Sequence, residues 1–308
     1  MYAIIDLGSN SFHLLIAEYR DARFSVVARC SEKIQLAQGL NRTNSLSKVA
    51  MKRGIDCLHR FQEVLSEYPI LQLKVVATEA LRRAKNADVF IRAAQKVGFQ
   101  IDIISGEQEA KLIFRGICDP LVDSLTRRLT IDIGGASTEI AIGNSETIFL
   151  AESIPMGCVR WRDQYFPKKL DYAKRSIAAK EAAYLQIKPI LPALRKGQWE
   201  EVYASSGSAK MIANIAIANE WSDGAITNKV IRNTEKAISQ VARAEEINIP
   251  GLNPQRLDLL APGISILATI MESLNIESII YSPTSLREGI LGELSQQRVD
   301  YRLYYNVN

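Results

Sequence analysis

Short apolar segments separated by polar turns open the chain and predict three successive strands. They cover residues 2–5, 12–19 and 23–29. Because the connections between them are short, these strands should pair as antiparallel neighbours. The period then becomes helical: Ser47 stands where a helix N-cap is expected, and the apolar side chains that follow share one face at Ile55, Leu58, Phe61 and Leu65.

Strands and helices then alternate, as in an α/β protein, and the pattern restarts near residue 129. The first half continues with a strand at 73–77, a helix at 87–97, a strand at 100–104 and a helix at 107–117. The second half has strands at 129–133, 138–142, 147–154, 201–204 and 278–282, helices through about 274, and another helix from 286. A long helix at 171–194 should break near Pro189 and Pro192, because proline removes a helical hydrogen bond.

The restart is visible as a repeated motif. Asp6-Leu7-Gly8-Ser9-Asn10-Ser11 aligns with Asp132-Ile133-Gly134-Gly135-Ala136-Ser137, and each copy stands between an apolar strand and a second strand. One such motif can occur by chance, but two in the same context indicate a duplication. We predict two βββαβαβα lobes around a central cleft: lobe I at 1–124, rejoined by a C-terminal helix at 286–308, and lobe II at 125–285.

Composition is that of a globular protein, and charge narrows the class of ligand only slightly. The 308 residues suit two lobes of about 150 each, and 47% apolar residues can supply a core to both. The net charge is +4, with Lys and Arg in short pairs such as Arg82-Arg83 and Lys168-Lys169 rather than in blocks. A small anionic substrate fits this distribution better than a nucleic-acid duplex does.

The cysteine and hydropathy patterns indicate a cytoplasmic protein. Without a CxxC pair, the four cysteines are expected to be reduced thiols. The N-terminus has neither a basic stretch nor a long apolar core, so no signal peptide is expected. The sequence contains no run of 18 apolar residues, so no membrane-spanning helix is expected.

The two repeated turns are candidates for phosphate binding. Small residues in a tight turn let successive backbone N–H groups point into one concavity, a nest for an anion, and hydroxyls add donors. Turns also favour Gly, Ser and Asn for structural reasons alone, so a plain hairpin is the alternative for each. The residues concerned are Gly8, Ser9, Asn10 and Ser11 in the first turn and Gly134, Gly135, Ala136, Ser137 and Thr138 in the second.

Carboxylates beside these turns suggest a divalent metal. Asp6 and Asp132 end the strands that lead into the turns, and Glu139 is the second residue of the strand after the second turn. Asp132, Ser137 and Glu139 can offer oxygens to Mg²⁺ or Mn²⁺ beside phosphate and water, and Asp6 is a further candidate ligand. A solvated strand position is the alternative for Glu139.

Hydrolysis needs a base that orients water, and Glu109 is the candidate. It lies near the start of a helix after Ser105-Gly106, where a glutamate that complements the helix dipole is also common. Arg82 follows Thr78 at a strand-to-helix turn, where a guanidinium can fork onto a phosphate. Residue types and spacing leave both alternatives for Glu109 open.

Six segments stand in one order along nearly the whole chain: DLGSNSFH at 6–13, VATEALR at 76–82, ISGEQEA at 104–110, DIGGASTE at 132–139, MGCV at 156–159 and LREG at 286–289. In these segments the chain resembles the exopolyphosphatase/guanosine pentaphosphate phosphohydrolase (Ppx/GppA) family of the sugar kinase–Hsp70–actin superfamily. The resemblance implies two actin-like, ribonuclease H-like α/β lobes. It also implies release of terminal phosphate from inorganic polyphosphate or guanosine pentaphosphate.

The resemblance assigns roles to single residues. It implies that Glu109 is the catalytic base, that Asp132 and Glu139 lie near the metal and the reacting phosphate, and that Arg82 contacts substrate. Ser206-Gly207 matches a turn in the nucleotide region of the second lobe, although no ATP is expected. The superfamily often pairs subunits, so a homodimer is an open expectation.

Three features depart from the family pattern. Ala136 stands where many members have a third glycine, so we expect its φ not to be positive; with MGCV, this favours the guanosine pentaphosphatase branch. Gln108 stands where an acidic residue is common, which makes the local field less negative. Long members carry a C-terminal helical domain that is not expected here, so processive action on long chains is not expected either.

Two other functions compete with the hydrolase. The first is a non-catalytic sensor that binds guanosine tetra- or pentaphosphate and acts through a protein partner. Glu109, Asp132 and Glu139 favour the enzyme over this sensor. The second is a kinase on the same fold, which would need a sugar pocket that nothing in the sequence marks.

Overall fold

The computed structural model describes residues 1–21, 23–38, 40, 44–121, 123, 125–166, 171–241, 243 and 246–295. The chain divides into two compact units. The first unit contains Met1–Ser124 and the helix that starts at Leu286, and the second unit contains Leu125–Ser285. The Lys168-Lys169 pair and the predicted extension of the C-terminal helix beyond residue 295 lie outside the described residues.

The first unit is a five-stranded sheet with helices. Its strands are β1 (Tyr2–Leu7), β2 (Ser11–Arg20), β3 (Arg23–Lys33), β4 (Gln72–Ala77) and β5 (Asp102–Ile103). Its helices include α1 (Lys48–Ser66), α2 (Glu79–Arg83), α3 (Ala87–Lys96), α4 (Gly106–Cys118) and α11 (Leu286–Ser295). The strand order is β3-β2-β1-β4-β5, antiparallel from β3 to β1 and parallel from β1 to β5.

Serine caps set the starts of two helices in the first unit. Ser47 Oγ accepts a hydrogen bond from the Ala50 N–H at 3.1 Å, as predicted for α1, and Ser105 Oγ accepts from the Gln108 N–H at 3.1 Å in α4. Each contact satisfies a backbone donor that a helix start leaves without an intrahelical partner. The second cap places Glu109 in the first turn of α4.

The second unit is built around a six-stranded sheet. Its strands are β6 (Arg128–Ile133), β7 (Thr138–Gly143), β8 (Ile148–Ile154), β9 (Glu201–Ser205), β10 (Ile226–Thr227) and β11 (Ser278–Tyr281). Its helices include α5 (Cys158–Tyr165), α6 (Tyr172–Ile187), α7 (Leu191–Gly197), α8 (Ser206–Ala218), α9 (Asn228–Ser239) and α10 (Leu257–Leu274). The strand order is β10-β11-β9-β6-β7-β8.

The topology of the first sheet recurs in the second. Strands β8-β7-β6-β9-β11 repeat the order and the directions of β3-β2-β1-β4-β5, and β10 adds an antiparallel edge. An irregularity is repeated too, since the register shifts after Ile16 in the β2–β3 pair and after Ile142 in the β7–β8 pair. The duplication predicted from the motif is therefore present in the strand order.

Each unit has a buried core of its own. Every residue of β6 is buried, as expected for a central strand covered on both faces. Among the described residues, the stretch Pro254–Leu274 has the length and hydropathy of a membrane span, and 83% of its most apolar window is buried. Burial of this kind is typical of a core helix, because a helix that is apolar all round needs protein on every side.

One predicted helix break is confirmed, and two strands differ from the predicted pattern for local reasons. The helix predicted at 171–194 ends at Ile187, and the 3₁₀ turn Lys188–Ile190, which contains Pro189, precedes α7; the predicted break is confirmed. β5 is shorter than the predicted 100–104, because only Asp102 and Ile103 pair with β4. β10 was not predicted, since two residues are too few to show a period.

The four cysteines are free thiols. Burial in α1 raises the pKa of the Cys57 thiol to about 12. Burial also raises the pKa of Cys158. Both thiols therefore stay protonated near neutral pH, where they behave as small apolar side chains rather than as nucleophiles.

Candidate functional site

The turn between β1 and β2 is the first repeated motif, and the chain after β3 holds its carbonyl groups. Ser9 O accepts from the Ala37 N–H at 3.1 Å. Asn10 O accepts from the N–H groups of Ile34 and Gln35 at 2.9 and 2.7 Å. These carbonyl oxygens therefore face protein donors rather than an incoming anion.

The turn between β6 and β7 repeats this arrangement in the second unit. Gly134 O accepts from the Cys158 N–H at 2.9 Å, and Gly135 O accepts from the N–H groups of Val159 and Arg160 at 2.8 and 3.1 Å. The donors belong to the first residues of α5. In both units, N–H groups of a later segment thus occupy the carbonyl oxygens of the turn. Because these oxygens would repel an anion, their occupation supports an anion site formed by the backbone N–H groups of the turn.

The first glycine of each turn leaves room for a nearby carbonyl oxygen; it does not adopt a left-handed backbone conformation. A Cβ at Gly8 would lie 2.8 Å from Ser11 O, and one at the matching Gly134 would lie 3.2 Å from Ser137 O. Among the described residues, neither glycine has a positive φ. Ala136 has no positive φ either, which confirms the expectation for the position where many family members have glycine.

Asp6, at the end of β1, lies near a cation of its own unit. Arg287 Nη1 is 3.8 Å from Asp6 Oδ2. Helix α11 is anchored at the next two residues: buried Glu288 accepts from Arg29 Nη2 at 3.1 Å, and a Cβ at Gly289 would collide with the backbone of α4. The LREG segment therefore contributes positive charge beside the first turn.

Asp132 and Glu139 are cross-strand partners on β6 and β7, so their side chains lie on one face of the sheet. Both are buried. Ser205 Oγ and Ser285 Oγ donate to Asp132 Oδ2, the latter at 2.8 Å, and Ser153 Oγ donates to Glu139 Oε1 at 2.7 Å. These hydroxyl contacts orient both carboxylates without adding positive charge.

The predicted metal ligands of the second unit fit a hard cation that completes its shell with substrate. Within the described part of the chain, no three His, Cys, Asp or Glu side chains converge as a metal site. Mg²⁺ is commonly held by one or two carboxylates together with phosphate oxygens and waters, so a closed protein cage is not required. Asp132, Glu139 and the buried Ser137 of the adjoining turn are the residues that would belong to such an open set.

Glu109 is 6% exposed in the first turn of α4, and Arg82 binds it. Arg82 Nη1 donates to Glu109 Oε2 and to Ile104 O, both at 2.8 Å. The other edge of the guanidinium donates to Glu79. The fork that the sequence predicted for a phosphate thus contacts two carboxylates of the protein in this structure.

Two predicted substrate-binding hydroxyls serve the fold. Thr138 Oγ1 donates to Met156 O at 2.6 Å, and Thr138 is fully buried. Ser206 Oγ donates to Ile133 O at 2.8 Å, and the backbone of Ser206 has a φ of 70°. Each hydroxyl therefore ties a neighbouring segment to the strands that carry the second turn.

Thr78 and Gly207 lie at the starts of two helices. The C=O of Thr78 accepts from the N–H groups of Leu81 and Arg82, and this buried residue precedes α2 directly. Gly207 lies against the guanidinium of Arg256, where a Cβ would collide with it. Thr78 thus belongs to the helix that carries Arg82, while Gly207 belongs to α8 of the second unit.

Sequence reasoning missed the side chains that hold the predicted carboxylates. Arg287 could have been found, because it lies in one of the six segments that carry the resemblance. Ser205 directly precedes Ser206-Gly207, but nothing in the sequence signals its contact with Asp132. Ser153 and Ser285 carry no signal, because ordinary strand and loop positions look the same in sequence.

Solved structures define the class of protein first. The chain is 25% identical to an exopolyphosphatase from Cytophaga hutchinsonii, with a TM-score of 0.84 over 96% of this chain and 98% of that one. It superposes on the Aquifex aeolicus PPX-GPPA enzyme with a TM-score of 0.77 at 24% identity, over 95% of this chain and 98% of that one. With the repeated strand order, these likenesses confirm the predicted class of two actin-like, ribonuclease H-like α/β units.

The chain belongs to the Ppx/GppA phosphatase family, whose model matches residues 15–297. A Haemophilus influenzae protein that carries an exopolyphosphatase name is 38% identical over 295 residues, which cover 96% of this chain and 91% of that protein. The guanosine-5'-triphosphate,3'-diphosphate pyrophosphatase of Photobacterium profundum is also 38% identical over 295 residues, 96% of this chain but 59% of that protein. The predicted resemblance is confirmed, and with it the expectation of an enzyme.

Proposed function

We propose that this chain releases the terminal phosphate of inorganic polyphosphate, of guanosine pentaphosphate, or of both. Glu109 acts as the base that activates water. Asp132, Ser137 and Glu139 hold a Mg²⁺ or Mn²⁺ ion. The two repeated turns bind phosphate through backbone N–H groups and serine hydroxyls.

The observation that carries this proposal is the setting of Glu109 compared with that of its neighbour Glu107. Both lie in the first turn of α4, where the helix dipole favours a negative charge. The side chain of Glu107 is 65% exposed and pairs with Lys111 on the surface. Glu109 is instead buried and bound by Arg82. A role in dipole compensation alone would require neither the burial nor the arginine.

The reaction that this base serves is water attack on a phosphoanhydride. A bond forms between the water oxygen and the terminal phosphorus, while the bond from that phosphorus to the bridging oxygen breaks. Glu109 accepts the proton of the water, and the bridging oxygen leaves with the electron pair on the shortened substrate. Positioning and charge stabilisation supply most of the catalysis in such a transfer.

The second unit supplies the place for the metal. When bound, a divalent cation would neutralise charge on the phosphate oxygens. The chain contributes two buried carboxylates on one sheet face, each oriented by serine hydroxyls. Because these two negative charges would otherwise repel a polyanionic substrate, we expect activity to depend on the cation.

We propose polyphosphate and guanosine pentaphosphate as substrates because of the names that two relatives carry. A protein with an exopolyphosphatase name and a guanosine-5'-triphosphate,3'-diphosphate pyrophosphatase are equally identical to this chain. Both substrates present a terminal phosphate in an anhydride bond. The same base and metal ligands therefore suit either one.

The test is phosphate release from polyphosphate and from guanosine pentaphosphate, each with Mg²⁺ and with EDTA. We expect Mg²⁺-dependent release from at least one of them. Tight binding of guanosine pentaphosphate without release from either substrate would reject the hydrolase and favour the non-catalytic sensor.

A further inference from the structure

Glu79 lies on the other side of Arg82 from Glu109. It is the first residue of α2, three positions before Arg82 on the same short helix, and its side chain is 12% exposed. Glu79 Oε2 accepts from Arg82 Nε at 3.3 Å and from Nη2 at 3.1 Å, while Oε1 is 3.7 Å from Arg83 Nε. One carboxylate thus lies between the two arginines of the Arg82-Arg83 pair.

The two edges of the Arg82 guanidinium have different partners. Its Nε and Nη2 face Glu79, whereas Nη1 faces Glu109 Oε2 and the carbonyl of Ile104. A guanidinium is planar and rigid, so an acceptor that fixes one edge also fixes the direction of the other. What holds Nε and Nη2 therefore contributes to the position of Nη1, and through it to the position of Glu109.

We propose that Glu79 is a positioning residue for phosphate release: it holds Arg82 in the orientation in which Arg82 holds Glu109. The inference rests on the proposed function, in which Glu109 is the base. Glu79 acts through Arg82 and not on the substrate. It accounts for an acidic residue inside VATEALR to which the sequence assigned no role.

The surrounding charges single out Glu79 for this role. Arg82 carries one positive charge and contacts two carboxylates. Glu79 therefore neutralises part of the positive charge of Arg82 that would otherwise act on Glu109. Several charged groups on the neighbouring helices α4 and α11 have partners other than Arg82 in the first unit. The distances show this for five of them: Glu107 pairs with Lys111, Arg115 with Asp119, Arg287 with Asp6, and Glu288 with Arg29.

The kinetic test compares Glu79→Ala and Glu79→Gln with the control Glu107→Ala. The control removes the same charge two residues from Glu109 but leaves Arg82 untouched. We expect kcat to fall about 10-fold in Glu79→Ala, a usual effect of losing an outer partner of a catalytic group, with KM changed less than about 2-fold. Glu79→Gln keeps an oxygen that can accept from Arg82, so it should recover part of kcat. Glu107→Ala should stay within about 2-fold of wild type.

An NMR readout separates positioning from a general loss of structure and needs no substrate. The Arg82 Nε–H resonance, assigned by its loss in Arg82→Lys, should shift in Glu79→Ala and stay in place in Glu107→Ala. A thermal melt of each variant identifies any unfolding, and Glu79→Gln decides the question if Glu79→Ala does not fold.

Three results would overturn the proposal. They are an unchanged Arg82 Nε signal in folded Glu79→Ala, a kcat equal to that of Glu107→Ala, or a rise in KM with kcat intact. Absence of phosphate release by the wild type would instead reject the proposed function, while the NMR arm would still report whether Glu79 holds Arg82.

Discussion

The two repeated turns share one backbone design but have different side chains around them. In each unit the turn's carbonyl groups accept from a later segment, residues 34–37 in the first and the start of α5 in the second. The aspartates that lead into the turns differ. Asp6 lies near Arg287, whereas Asp132 accepts from the hydroxyls of Ser205 and Ser285.

We propose that this difference reflects separate roles for the two units, the base in one and the metal in the other. Arginines accompany the carboxylates of the first unit, Arg287 beside Asp6 and Arg82 on Glu109. Serine hydroxyls donate to Asp132 and Glu139, and these neutral donors add no positive charge of their own. We therefore assign the base to the first unit and the metal to the second. Asp6 becomes the weaker of the predicted metal ligands.

The largest expected effect comes from removing the base. Glu109→Gln keeps the shape of the side chain but cannot accept the proton of water, so kcat should fall roughly 100-fold or more while substrate binding is largely kept. Steady-state kinetics of phosphate release measure the change, and Glu107→Gln is the matched control on the same helix turn. Near-normal turnover in Glu109→Gln would reject this glutamate as the base.

Measurements of metal affinity test the assignment of the metal to the second unit. Asp132→Asn and Glu139→Gln should each weaken Mn²⁺ binding about 10-fold, because each removes a charged ligand. Asp6→Asn should weaken it much less, since Arg287 already lies beside that carboxylate. Calorimetric titration with Mn²⁺ measures all three variants without turnover. An equal loss in Asp6→Asn would mean that both units contribute ligands to the metal.

Arg82→Ala distinguishes a substrate contact from a contact with the base. A substrate contact alone predicts a rise in KM that exceeds the fall in kcat. Because the structure shows Arg82 Nη1 on Glu109, we expect kcat to fall at least as much as KM rises, by about 10-fold. Initial rates over a range of substrate concentrations separate the two. A pure KM effect would return Arg82 to the role predicted from the sequence.

A change in stability rather than in activity is expected at the glycines in matching positions of the two turns. Gly8→Ala should destabilise the first unit by about 1–3 kcal/mol, the usual cost of overpacking, because the new Cβ would lie 2.8 Å from Ser11 O. Gly134→Ala should cost less than about 1 kcal/mol, since the corresponding distance is 3.2 Å. Urea unfolding of both variants provides the comparison. A larger loss in Gly134→Ala would contradict the crowding estimated for the two turns.

Much of the fold could be predicted from the sequence because its signals are local. The Ser47 cap, the break at Pro189 and the duplicated turn each depend on a few adjacent residues. The partners of the carboxylates could not be predicted, because Ser153 is 14 residues from Glu139, and Ser205 and Ser285 are 73 and 153 residues from Asp132. Only the folded sheet brings them together.

The role of Glu109 shows the same limit within one helix. Spacing alone could not separate it from a glutamate that complements the helix dipole, and the resemblance to a family decided the assignment. The structure adds the contrast between buried Glu109 and exposed Glu107. Glu79 escaped notice because a Glu–Arg pair three positions apart on a helix usually stabilises it only slightly.

A Mg²⁺ titration of phosphate release in wild type, Glu109→Gln and Asp132→Asn tests these separate roles of the two units most directly. We predict no release by the wild type in EDTA. Asp132→Asn should regain activity at higher Mg²⁺ concentration, because mass action compensates for a weakened metal site. Glu109→Gln should keep its roughly 100-fold loss of kcat at every Mg²⁺ concentration, since no amount of metal replaces the base. Full wild-type activity in EDTA, or recovery of Glu109→Gln by Mg²⁺, would contradict the account.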